Sequence, residues 1–106
     1  IARALMADPE LLLLDEPASG LDLAGREALV GAMSELFQHP TSPASVLVTH
    51  HVEEIPAGIT HCLLMNHGRI VAEGELHETL TSANLSAAFE TPLVVGFDGR
   101  WSARGA

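Results

Sequence analysis

The sequence predicts an α/β fold, with parallel strands followed by antiparallel hairpins and short helices. Three observations carry that expectation. Apolar runs alternate with helix-like segments in the first half. Residues 11–14 are apolar without alternation. In the second half, two glycine-containing turns are flanked by strand-like runs.

Residues 1–7 (IARALMA) read as the last turns of a helix, because Ala, Leu and Met are strong helix formers. Asp8-Pro9 ends it, since the residue before a proline disfavours the α conformation. The run LLLL at 11–14 is a strand, expected to be buried on both faces as in a parallel sheet. Ala18-Ser19-Gly20-Leu21 is a loop, and Asp22 is placed to cap the next helix. There Leu29, Met33, Leu36 and Phe37 recur at helical spacing, with Arg26, Glu27 and Glu35 off the stripe. The stretch HPTSP at 39–43 is a loop, and ASVLVT at 44–49 a second strand ending at His50-His51.

After a short acidic segment at 52–55, Pro56-Ala57-Gly58 marks a break and the character changes. Residues 61–65 and 69–72 flank the three-residue turn Asn66-His67-Gly68 and read as an antiparallel hairpin. Residues 75–90 read as two short helices separated near Ser82. Residues 93–97 and Trp101 flank Asp98-Gly99, a second hairpin signal, and the last five residues are expected to fray.

With 106 residues the chain has room for one domain and a modest core. An apolar fraction of 47% and a charged fraction of 18% exclude a largely disordered chain. Fourteen acidic residues against five basic ones leave a formal charge of −9, which repels nucleic acid and anionic lipid. All five basic residues are arginine, and there is no lysine. A lone Cys62 excludes an internal disulfide or a cysteine zinc cage and fits a reducing compartment. No apolar run approaches the ~20 residues of a membrane helix, and no secretory signal is visible.

The strongest chemical signal is LLLLDEP at 11–17. A strand that delivers Asp15 and Glu16 to its C-terminal end places them where open α/β sheets bind ligands. Neighbours on a strand point to opposite sides, so the two carboxylates can take different work: one holding Mg²⁺ through water, the other orienting or deprotonating a water nucleophile. A bare Asp-Glu pair is usually an acidic turn; four leucines before and a proline after make this one less ordinary. Ser19-Gly20-Leu21-Asp22, read alone, is a loop and a cap. His50 ends the second strand, where a histidine beside a phosphate can donate to an oxygen that gains charge; in isolation a strand-terminal histidine in a polar turn is the commoner case. A competing grouping takes His50, His51, Glu53 and Glu54 as metal ligands, but near-consecutive residues rarely converge on one ion. His39, His61, His67 and His77 are scattered and expected to be solvated or partly packed, and Cys62 is expected to be a small buried hydrophobe.

Taken together, these pieces resemble the C-terminal part of the ATP-binding cassette of ABC-type ATPases. IARALMADPELLLLDEP looks like the helix after that family's signature motif, followed by its Walker B strand. The resemblance implies a P-loop NTPase fold, with Asp15 serving Mg²⁺ and Glu16 acting on the attacking water. Ser19, Gly20, Leu21 and Asp22 look like the D-loop, which in the family crosses a dimer interface towards the partner's nucleotide. VLVTHHVEE looks like the switch segment, with His50 sensing the γ-phosphate, and NHGRIVAEGE is similar to the terminal hairpin. Ala18 stands where threonine is commoner, and His51 where an aspartate or other polar residue is frequent.

The resemblance runs to about residue 80. It implies a cassette portion over 1–90, an extension of unknown role over 91–106, ATP and Mg²⁺ as ligands, a second ATPase subunit and a transmembrane permease as partners, and a cytoplasmic place beneath the membrane. In the family the Walker A loop, the glutamine loop and the signature motif precede the segment matched here. With no lysine and an initial Ile1, the chain is expected to be part of a longer protein and inactive alone. Rival readings are an ABC-type ATPase without a membrane partner, a non-catalytic remnant that binds a partner through the D-loop edge, and a His/Glu metal hydrolase.

Overall fold

The computed structural model describes residues 11–106; the helix expected at 1–7 and its Asp8-Pro9 stop lie outside the described residues. The chain divides into two compact units at Gly58/Ile59, directly after the Pro56-Ala57-Gly58 break.

In the first unit, β1 (Leu11–Asp15) and β2 (Ala44–Val48) pair in parallel, from Leu11 opposite Ala44 to Asp15 opposite Val48. Between them runs α1 (Leu23–Gln38), started by Asp22, whose carboxylate accepts from the Gly25 N–H at 2.8 Å as expected of a cap. Helix α1 sends Val30 and Met33 against Leu12 and Leu14, with Leu29, Leu36, Phe37 and Leu47 packed around them. Each such side chain contributes about 1.5–3 kcal/mol on full burial. Val30 belongs to this stripe although the sequence pattern did not single it out.

The strand is not buried on both faces. Leu12 and Leu14 are covered by α1, whereas Leu11 and Leu13 are 58% and 62% exposed. Val46 and Val48 on β2 are exposed as well. Among the described residues one helix covers one face of the β1–β2 pair, so an unalternating run acquires an alternating burial pattern.

In the second unit, β3 (His61–Asn66) and β4 (Arg69–Glu75) form the antiparallel hairpin, with a bulge between Leu64 and Met65. Asn66 pairs with Arg69, so the turn has two residues, His67 and Gly68, and not the three expected. Both have positive φ (51° and 75°), the combination a type I′ turn requires and one that matches strand twist. Two short helices follow, α2 (Leu76–Thr79) and α3 (Ser82–Phe89), separated at Leu80-Thr81.

The C-terminus does not fray at Ser102: β5 (Leu93–Phe97) pairs with β6 (Trp101–Gly105) through to Gly105. Two serine hydroxyls dock β5 on α3, since Ser86 Oγ accepts from Leu93 N–H at 2.9 Å and Ser82 Oγ accepts from Val95 N–H at 2.9 Å. Trp101 is buried, with the His77 and Phe97 rings 4.9 and 4.8 Å from its own. This packing holds a segment whose small and polar residues have little strand preference of their own.

Thr81 caps α3 by accepting from the Asn84 N–H at 3.1 Å. Thr81→Ala is expected to lower stability by about 1 kcal/mol. A shift of the denaturation midpoint at constant slope would show it; an unchanged midpoint would mean that the cap is not needed.

Candidate active site

The parallel pairing of β1 and β2 brings their C-terminal ends to one edge, and there the sequence-selected residues meet. Asp15 is the last residue of β1 and is exposed. Glu16 follows the strand and is not part of it. Its backbone is left-handed (φ 46°), while its N–H still donates to Val48 O at 2.7 Å and so continues the β1–β2 ladder by one rung. Glu16 thus sits on a turn of the backbone and not on the strand, so strand alternation does not set its direction. A non-glycine residue in this region costs about 1–2 kcal/mol, and such outliers gather at functional sites.

The Glu16 carboxylate meets the imidazole of His50, with Oε1 2.5 Å from Nδ1. Thirty-four residues separate the two in sequence. Both side chains are substantially open to solvent, 45% for Glu16 and 66% for His50, so the contact contributes little to stability. An ionised carboxylate only accepts, so Nδ1 donates to Glu16 and Nε2 is left for another partner.

After Glu16 the chain turns tightly. Ser19 N–H donates to Glu16 O and Leu21 N–H to Ala18 O, each at 3.1 Å, and Gly20 takes φ 83° to return the chain to the Asp22 cap. A Cβ at Gly20 would meet no neighbour, so the backbone angle and not space calls for glycine there. Ser19, Gly20 and Leu21 are exposed. With Glu16, Arg26, His51 and Glu54 they line a cleft of about 270 Å³.

The structure also brings in residues that sequence reading passed over or assigned differently. Glu54, grouped above with metal ligands, is only 7% exposed and accepts a 2.6 Å hydrogen bond from the Thr49 hydroxyl. Among the described residues no three His, Cys, Asp or Glu side chains are arranged to hold a metal ion. His50 and His51 part company, one against Glu16 and the other lining the cleft. Arg26, read only as off the helix stripe, lines the cleft with a solvent-inaccessible Nε, 3.7 Å from Glu27 Oε2.

Of the remaining histidines, His39 contacts Thr41, His61 contacts Thr60 and His67 contacts Glu90, while His77 packs against Phe97 and Trp101. Cys62 is half-buried; burial and then the Glu75 charge push its thiol pKa up, away from the reactive thiolate.

Asp15 offers one exposed carboxylate at a strand end, a hard oxygen donor of the type that Mg²⁺ takes one or two of from a protein.

No family model matches the chain. It is 47% identical over 95 residues to the uncharacterized ABC transporter ATP-binding protein YlmA of Bacillus subtilis (strain 168), covering 90% of this chain and 36% of that protein. It is 39% identical over 88 residues to the molybdenum import ATP-binding protein ModC of Hahella chejuensis, covering 83% of this chain and 24% of the relative. A solved structure described as an ABC transporter of metal-chelate type, in an inward-facing conformation, superposes with a TM-score of 0.78 at 30% identity over 97% of this chain and 41% of that one. The chain thus spans a quarter to two fifths of the length of the proteins it matches.

Proposed function

We propose that this chain, similar over most of its length to ABC transporter ATP-binding proteins, is the C-terminal part of an ABC-type ATP-binding cassette, and that in the complete protein it supplies half of a Mg²⁺-dependent ATP-hydrolysing site that powers a transporter. The observation that carries the reading is the Glu16–His50 pair, 2.5 Å apart at the C-terminal edge of a parallel strand pair.

Glu16 is the general base. Its carboxylate orients the attacking water and accepts its proton as the water oxygen bonds to the γ-phosphorus and the bond to the β–γ bridging oxygen breaks, releasing ADP. His50 acts on the γ-phosphate. While Nδ1 donates to Glu16, Nε2 donates to a phosphate oxygen when the ring carries both protons. Asp15 would hold Mg²⁺, which when bound neutralises charge on the triphosphate. The exposed turn Ser19-Gly20-Leu21-Asp22 is free to meet a second ATPase subunit, in line with a D-loop. A transmembrane permease is the second partner, with the ATPase on the cytoplasmic side. Among the described residues no helix is long and apolar enough to cross a membrane.

The full-length protein is expected to hydrolyse ATP with Mg²⁺, while residues 1–106 alone neither bind it tightly nor turn it over. Affinity at such sites comes from backbone N–H groups of a Gly-rich loop at a helix N-terminus and from a lysine on the phosphates. This chain has no lysine and a net charge of −9. Isothermal titration of the chain with Mg-ATP, beside an ATPase assay of the full-length protein, tests both halves. An inert full-length protein would sink the reading. A low-micromolar dissociation constant for the chain alone, with turnover that Glu16→Gln removes, would place the whole site within these residues.

A further inference from the structure

The His50 side chain is 66% open to solvent, so beyond its contact with Glu16 its place depends on the backbone on either side. That backbone is tied by one hydroxyl. Thr49 Oγ1 donates to Glu54 Oε1 at 2.6 Å and accepts from the His51 N–H at 3.1 Å, so its two bonds straddle His50. The His51 carbonyl accepts from the Glu54 N–H at 3.0 Å and closes the loop from the other side. Burying a carboxylate is unfavourable unless it is hydrogen-bonded, and Glu54 is 7% exposed with its bond to Thr49 made.

We propose that Thr49 and Glu54 are positioning residues for His50: their hydrogen bond fixes the loop that carries the imidazole to Glu16. The inference rests on the reading of the site given above. Neither residue needs to touch substrate. A histidine displaced by about 1 Å can lose ~10²-fold in rate, which is how a remote hydrogen bond acts on chemistry.

Steady-state hydrolysis by the full-length protein tests this. Thr49→Val removes both hydroxyl bonds at nearly constant volume and is expected to lower kcat about tenfold or more, with KM for Mg-ATP within about twofold of wild type. Thr49→Ser, which restores the hydroxyl, and Glu54→Gln, which keeps an acceptor oxygen, are expected to retain most of the rate. In a His50→Ala background Thr49→Val is expected to cost nothing further, because the group it positions is gone. An equal loss in both backgrounds, or Thr49→Val within twofold of wild type while His50→Ala is impaired, would overturn the proposal. Thr49→Ala takes the place of the valine variant if that one does not fold, and failure of both to fold would make the pair structural and end the proposal. Glu16→Gln and His50→Ala near wild-type rates would remove the reading of the site, and this inference with it.

Discussion

Glu16→Gln in the full-length protein is expected to leave ATP binding intact and lower turnover by ~10² or more. The substitution isolates one property. Glutamine has the same length and branching as glutamate, and it keeps an oxygen that can accept from His50 Nδ1, 2.5 Å away in the native pair. It meets the left-handed backbone at this position with the same side-chain bulk. The negative charge is gone, and with it the capacity to take a proton from water. Nucleotide affinity by titration and single-turnover hydrolysis separate binding from chemistry; turnover within a few-fold of wild type would sink the assignment of the base.

His50→Ala is expected to cut hydrolysis by ~10²–10³, the loss that follows removal of one donor to a charge-gaining oxygen. The adjacent histidine is the control. His51 makes its Thr49 bond through the backbone N–H, which survives His51→Ala, so that variant is expected to do much less. Should His51→Ala prove the more damaging change, the roles of the two histidines are reversed. Loss of transition-metal binding in both variants would favour a metal centre instead.

The place of the site was legible in the sequence because it follows from pairing. Two apolar runs joined by a helix form a parallel pair, and parallel strands end at the same edge, so Asp15 opposite Val48 brings Glu16 within reach of His50. The Asp22 cap was legible because a carboxylate before a helical stripe has an orphan N–H to satisfy. Other features were hidden for physical reasons. Nothing in the letters DEP announces that Glu16 leaves the strand with φ 46°. Thr49 and Glu54 look like any polar loop residues until the loop closes on itself. After Trp101, strand β6 is made of residues with weak strand preference, and it depends on the packing of that ring and on its pairing with β5. Exposure of Leu11 and Leu13 was missed because an unalternating run records what a strand is able to bury, whereas observed burial depends on which neighbours are at hand.

The left-handed backbone at Glu16 bears on whether this chain is a working part or a relic. Glycine there would be free of the conformational penalty of about 1–2 kcal/mol, and asparagine would suffer less of it. If the position served the fold alone, exchange for either residue is expected to hold or raise stability. The glutamate at φ 46° bears that cost with its carboxylate on His50. A Glu16→Gly variant that keeps or gains stability while the full-length protein loses hydrolysis would show that the side chain, and not the fold, calls for this angle.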